Sequence, residues 1–172
     1  MLNDITVFNI REYLSAMDNQ GLGENELKQV LSEFSCKKNL DVERFLKQQS
    51  IEFTKKNQSV TYLVFENENA TLVGYFTITI KPISINANNF SNTMKRKIAR
   101  VSELNEVDGT YTLSAYLIAQ LGKNFSDNAS EKITGKQLLQ AAIDTIKELQ
   151  YMAGGMVVFL EAENNDKLIK FY

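Results

Sequence analysis

A glycine stands where a polar loop turns into an amphipathic helix. The run Ile133-Thr-Gly135-Lys136 is followed by Leu138, Leu139, Ala142, Ile143, Ile146 and Leu149, which share one helical face. Glycine at such a mouth lets backbone N–H groups close on an anion at the positive end of the helix dipole. Lys123, Lys132 and Lys136 lie near the same mouth in sequence and can add positive charge. Further on, Phe171-Tyr172 carries a phenol, whose ordinary pKa of about 10 suits it to give a proton to a developing anion. Glycine mouth and phenol together point to a phosphate-bearing cofactor and to group transfer.

The missing residue types narrow the chemistry. The 172 residues contain no histidine, which excludes a Ser-His-Asp triad, a Cys-His dyad and histidine-ligated zinc. The single cysteine, Cys36, excludes an intrachain disulfide and a Cys-rich metal cluster, and suits a cytoplasmic protein. Neither GxxxxGK(S/T) nor GxGxxG occurs, so nucleotide sites of those kinds are not expected. Proton chemistry then falls to carboxylates, tyrosine, lysine, cysteine, backbone or water. A formal charge of −2 argues against wholesale polyanion binding but leaves room for a local basic patch, for which Lys95, Arg96, Lys97 and Arg100 are the candidates, toward RNA or a cofactor phosphate. With 44% apolar and 23% charged residues, no membrane-length apolar run and no signal pattern at Met1-Leu-Asn-Asp-Ile5, the composition is that of one globular domain spanning residues 1–172 with no membrane partner.

The elements that must position these groups are legible as periodicity. Thr6 to Met17 reads as a short strand and an amphipathic turn, Gln20–Gly23 as a loop, and Asn25–Phe34 as a helix with Leu27, Val30, Leu31 and Phe34 on one face. Asp41 is placed to cap a second helix through Val42, Phe45, Leu46 and Gln49. Val60–Phe65 and Thr71–Ile80 form a hairpin closed by Pro82. Residues 86–109 are a polar excursion with room for a short basic helix. Tyr111–Leu121 is a near-continuous apolar strand that breaks at Gly122 into a loop. Helix Thr134–Gln150, the Gly154-Gly155 turn and strand Met156–Leu160 complete a βαβ unit.

Two helices, an antiparallel hairpin and a βαβ unit, in that order, resemble the GCN5-related N-acetyltransferase family. Val73-Gly-Tyr-Phe76 matches its Val-Gly-Tyr strand, Leu117–Leu121 its cofactor-pairing strand, Gly135-Lys-Gln-Leu-Leu139 its Gly-x-x-Leu-Leu helix start, and Phe171-Tyr172 its Phe-Tyr. Phe34-Ser-Cys36, Leu40-Asp41, Phe45-Leu46 and Thr61-Tyr-Leu-Val64 are similar to a branch that includes toxins acetylating aminoacyl-tRNA beside a small DNA-binding antitoxin. Of the family's pyrophosphate loop, Arg/Gln-x-x-Gly-x-Gly/Ala, Gly135 keeps the last position, while Ser130 and Ile133 occupy the other two.

The resemblance implies a mixed α/β fold, a mainly antiparallel sheet with helices on both faces, and acetyl transfer from acetyl-CoA to a primary amine. It further implies that Ile118, Ala119, Gln120, Leu121, Gly122, Lys123, Thr134, Gly135 and Lys136 hold acetyl-CoA, and that Tyr172 protonates the departing thiolate. The family continues beyond Tyr172 into further strands. Their lack is expected to leave Met156–Leu160 as an edge that a homodimer would cover.

Plainer readings stand beside each site. Gly135 can be a loop residue, at least two of the three lysines solvated, Lys95, Arg96, Lys97 and Arg100 an ordinary solvated helix face, strand 116–121 simply the buried sheet centre, and Tyr172 a frayed terminus without a role. Glu161 and Glu163 can deprotonate an amine or merely face solvent, and Cys36 reads as a buried neutral thiol. The alternative function is a weakened or truncated scaffold of the same fold that works through a partner.

Overall fold

Side chains that alternate between faces give Ile5–Asn9 (β1) two different surfaces, and helix Ile10–Leu14 (α1) follows it directly. This computed structural model describes residues 5–14 and 23–161. Helix Gly23–Ser32 (α2) buries Leu27 and Leu31. A bent helical path then runs through Leu40–Arg44 (α3), a π-helical stretch Phe45–Gln49 and Ser50–Lys55 (α4), with Leu46 fully buried inside it. The hairpin is Val60–Glu66 (β2) and Thr71–Asn86 (β3). The polar excursion folds as a short 3-10 turn Ala87–Asn89, helix Asn92–Ile98 (α5) and strand Leu104–Asn105 (β4). Thr110–Lys123 (β5), Gly135–Ala153 (α6) and Val157–Leu160 (β6) form the last third.

The sheet order is β1-β2-β3-β5, antiparallel throughout, with β4 and β6 both lying along the outer side of β5. β4 pairs antiparallel with Thr110 and Tyr111, and β6 pairs parallel with Ala115–Ile118. A parallel neighbour requires a crossover, and α6 supplies it. Alternation along β2 divides the core. Val64 joins Val73, Phe76, Ile118, Leu138 and Ile146 beneath α6, whereas Leu63 joins Leu27, Leu31, Phe34, Leu46 and Tyr75 beneath α1 to α4. Helices on both faces of a mainly antiparallel sheet are as the sequence predicts. Each such side chain contributes about 1.5–3 kcal/mol through burial, so the two half-cores hold the sheet between them.

Four local expectations are corrected. Asp41 does not cap the second helix: Asn39 does, its carboxamide oxygen accepting the N–H groups of Asp41 and Val42, while Asp41 pairs with Arg44 at 2.7 Å. Pro82 does not close β3, which continues to Asn86 with Pro82 opposite Ser114. β2 reaches only as far as Ile78, so among the described residues no strand lies beside Pro82 on that flank of β3, as suits a residue without an N–H. Gly122 does not break β5; it pairs with Tyr75, and the strand runs on through Lys123. Helix α6 extends beyond Gln150 to Ala153 and ends at Gly154 and Gly155, both with positive φ.

Candidate active site

The C-terminal half of β5 is laid open on one side. β6 pairs with β5 only from Ala115 to Ile118. From Ala119 to Lys123 the strand has β3 on one flank and, among the described residues, no strand on the other. A bulge falls at the same place: Ile78 faces Ile118 and Thr77 faces Gln120, so Ala119 has no opposite number, and it is exposed. A free edge with a bulge offers backbone N–H and C=O groups to an extended, amide-bearing guest.

The mouth of α6 sits beside this edge, because Ile133 and Leu138 share a core with Ile118, against which Leu121 packs. Thr134 is the N-cap and forms a capping box: its hydroxyl accepts the Gln137 N–H at 3.2 Å, and Gln137 Oε1 accepts the Thr134 N–H at 2.9 Å. The next helical bond is Leu138 N–H to the Thr134 carbonyl, 3.1 Å. That arrangement leaves the N–H groups of Gly135 and Lys136 as the open donors of the first turn. Gly135 is not among the glycines with positive φ, so its value lies in its small size and not in a special backbone angle. Lys136 is exposed beside it.

The remaining candidates separate. Lys132 is not turned to the helix mouth alone; its ammonium lies 2.6 Å from Glu66 Oε2 and 3.2 Å from Thr71 Oγ1. Lys123 stands 5.5 Å and Lys38 4.3 Å from the centroid of Phe125, placing two cations around one ring at the end of β5. Gly122 is buried because Tyr75 crosses it: a Cβ there would meet Tyr75 Cε1 at 2.5 Å and Val42 Cγ1 at 2.6 Å. The Tyr75 hydroxyl in turn donates to the Val42 carbonyl at 2.6 Å, and burial pushes its pKa up. Gly122→Ala is therefore expected to cost about 1–3 kcal/mol in chemical denaturation, through displacement of Tyr75. Unchanged stability would show that the ring yields freely.

The basic helix α5 packs through Ile98 on Tyr111 and Leu113, at the far end of β5. Six to eight strand residues, about 20–26 Å, separate those anchors from Ala119. That distance speaks against the cofactor-phosphate reading of Lys95, Arg96, Lys97 and Arg100; an ordinary solvated helix face and a face for RNA both stay open. Glu161 is exposed just past β6, while Glu163 and Tyr172 lie outside the described residues. Cys36 is buried, its thiol pKa raised by that burial, and its N–H donates to Glu43 Oε2 at 2.7 Å, which suits a structural thiol. Among the described residues there is no grouping of acidic, cysteine or histidine side chains able to hold a metal, and no helix long and apolar enough to cross a membrane.

Asn124, absent from the candidates above, holds the junction. It is 1% exposed; its Oδ1 accepts the N–H groups of Ser35 and Ser126, both at 3.0 Å, and its Nδ2 donates to the Leu72 carbonyl at 2.7 Å. A polar residue after a strand reads as loop, and nothing in a single sequence marks it as buried.

Glu66 ties the loop before α6 to the hairpin. Its carboxyl is held below the usual range, chiefly by Lys132 and then by the N–H groups of Glu68 and Asn69. A depressed carboxyl stabilises the fold above its unfolded pKa, and that contribution is lost as pH falls through the folded value. Lys132→Met is thus expected to lower the melting temperature at neutral pH, with the gap to wild type closing below the unfolded carboxyl value of about 4.3. A gap independent of pH would contradict this role.

No protein-family model matches the chain, and no curated protein matches it significantly in sequence. Solved structures do match in fold. AtaT complexed with acetyl-methionyl-tRNAfMet aligns with a TM-score of 0.64 at 15% identity, over 98% of this chain and 84% of that one. A tyrosine-to-phenylalanine mutant of the AtaT toxin aligns with a TM-score of 0.62 at 14% identity, over 98% of this chain and 79% of that one. A tyrosine-to-phenylalanine mutant of KacT gives 0.62 at 16% identity, over 97% and 82%. At such identities the likeness shows the fold alone: the chain has the GCN5-related N-acetyltransferase fold.

Proposed function

We propose that this protein transfers an acetyl group from acetyl-CoA to a primary amine, with aminoacyl-tRNA as the acceptor. The observation that carries the reading is the unpaired, bulged end of β5 beside the open N-terminus of α6. An arm with two amides and a pyrophosphate fits that pair of features. Ala119 to Lys123 would pair with the pantetheine arm, whereas Ile118, expected in this group, is corrected because β3 and β6 take both of its flanks. The Gly135 and Lys136 N–H groups would take the pyrophosphate, with Thr134 fixing the helix end and Lys136 adding charge. Acetyl-CoA supplies the activated acetyl thioester. The acceptor amine forms the new C–N bond as the C–S bond breaks, water or a carboxylate takes the amine proton, and Tyr172 protonates the thiolate.

The acceptor class is supported by AtaT, of the same fold, which has been solved with acetyl-methionyl-tRNAfMet, and by the exposed basic side chains of α5. AtaT has also been solved with the C-terminus of the antitoxin AtaR, which supports an antitoxin-like partner here. The lone thiol suits the cytoplasm. Incubation with radiolabelled acetyl-CoA and a panel of aminoacyl-tRNAs and free amines tests the reading; label recovered in an N-acetyl-aminoacyl-tRNA is expected.

One observation favours the second reading, a scaffold that binds but scarcely turns over. Ile133, where the family loop has glycine, is 2% exposed and belongs to the core, and Ala129 is fully buried, so the loop is packed inward. Acetyl-CoA binding without transfer across the panel would select this scaffold.

The β6 edge bears on assembly. β6 has β5 on one side and, among the described residues, no strand on the other, with Met156 and Val158 44% and 39% exposed. We propose a homodimer through this edge. Sedimentation is expected to show a concentration-dependent dimer; a strictly monomeric species across the micromolar range would contradict it.

A further inference from the structure

On the α6 face, β1 and the C-terminal half of α6 enclose an open cavity of about 530 Å³. Its lining from α6 begins at Ala141 and is centred on residues 144–152, about 14 Å or more along the helix from Gly135. The proposed cofactor site therefore does not account for it. The floor is apolar, made by Ile5, Val7, Leu149 and Met152. A second cavity of about 390 Å³ shares Asn9, Tyr62 and Leu149 with the first, so the two form one groove.

Three features of the groove point to an occupant. Tyr62 is 9% exposed and its ring stacks on Phe76 with centroids 5.2 Å apart, yet its hydroxyl has no hydrogen-bond partner among the described residues. The ring is largely buried while the hydroxyl reaches the groove, where it can exchange water for a polar group of an occupant. Glu12 on α1 and Glu148 on α6 line the same cavity, and among the described residues neither is ion-paired; Asp144, which also lines it, is paired with Lys147 at 2.9 Å, and Arg11, which lines the second cavity with Tyr62, donates to Asn57 at 2.6 Å. Finally, β1 is the edge of the sheet: β2 lies on one side and, among the described residues, no strand on the other. Its alternate residues Ile5, Val7 and Asn9 face the groove, while Thr6 and Phe8 face away.

We propose that the β1 edge and this groove dock an extended segment of a partner protein that alternates basic and apolar side chains. Such a segment extends the sheet through backbone hydrogen bonds to β1 and sets every second side chain over the groove. Its apolar side chains rest on Leu149 and Met152, its cations face Glu12 and Glu148, and one polar group meets the Tyr62 hydroxyl. The unpaired carboxylates select a basic segment over an acidic one.

The probe is a fluorescent peptide of about ten residues alternating lysine and valine, compared with its glutamate–valine counterpart by anisotropy at low salt. The lysine peptide is expected to bind at least about tenfold more tightly, and the Glu12→Lys, Glu148→Lys double variant to lose that preference. Tyr62→Phe, which keeps the stacking on Phe76, is expected to retain its melting temperature and bind several-fold more weakly. Hydrogen exchange of the β1 amides slows when the lysine peptide is added. Equal affinity for the two peptides, an unchanged double variant, or β1 amides that exchange as before would overturn the proposal. So would a dimer that Glu148→Lys dissolves, since the groove would then belong to a second copy of the chain.

Discussion

Gly135→Asp is expected to weaken acetyl-CoA binding by at least about tenfold while leaving the fold as stable as before or slightly more so. The two effects have opposite signs for one reason. A carboxylate in the first turn of α6 complements the helix dipole, worth about 0.3–1 kcal/mol, and thereby occupies the field that a pyrophosphate would use. It also crowds the open N–H groups of Gly135 and Lys136, which the capping box of Thr134 and Gln137 leaves without partners in the first turn. Titration calorimetry on the folded variant, with a thermal melt alongside, reads both signs. Equal cofactor affinity in a stable variant would remove the helix mouth from the site.

Asn124→Ala is expected to be the most destabilising single change near the site. The side chain is 1% exposed and satisfies the N–H groups of Ser35 and Ser126 and the carbonyl of Leu72. Alanine leaves the buried Leu72 carbonyl and the half-buried Ser35 and Ser126 N–H groups without this partner, at about 1–3 kcal/mol each, for a total of about 3 kcal/mol or more. In a domain of this size that corresponds to a fall of about 6–12 °C in melting temperature. Because Asn124 ties the end of β5 to the hairpin and to the segment after α2, cofactor affinity should fall with it. A loss below about 1 kcal/mol in denaturant would mean that water replaces the side chain.

The parts of this fold legible in the sequence are those governed by periodicity. The β2–β3 hairpin, β5 and β6 are apolar, β-branched or aromatic runs and form strands as such runs predict, and α6 buries Leu138, Ala142 and Ile146 from its helical repeat; β6, though apolar enough to read as a buried strand, has no fully buried residue. What went unread depended on neighbours distant in sequence. Pro82 reads as a terminator, yet β2 stops short of it and the strand continues. Gly122 reads as a loop residue, yet it is a strand position emptied to admit Tyr75. Asp41 and Asn39 are equally good caps by type, and the backbone angle at Asn39, φ −149° and ψ 97°, chooses between them.

The candidate site divides the same way. The mouth of α6 is legible as a glycine ahead of an amphipathic face, and the cofactor-pairing role of Leu117–Leu121 comes from the resemblance; that β6 leaves one flank of β5 open beyond Ile118 is not legible, because it depends on where a second strand stops. Nor is the bulge at Ala119, because a bulge is a relation between two strands and leaves no mark in either alone. Lys132 was grouped with Lys123 and Lys136 by sequence, whereas the fold gives it to Glu66, 66 positions away. Tyr172, the proposed acid, lies outside the described residues, so its role stands on the resemblance of Phe171-Tyr172 and on the reaction's need for a proton.

Isothermal titration of the folded chain with acetyl-CoA tests the central claim most directly. The account predicts saturable binding in the micromolar range at one site per chain, displaced by CoA and weakened in Gly135→Asp. No detectable heat or saturation with millimolar acetyl-CoA, from protein shown to be folded, would contradict it.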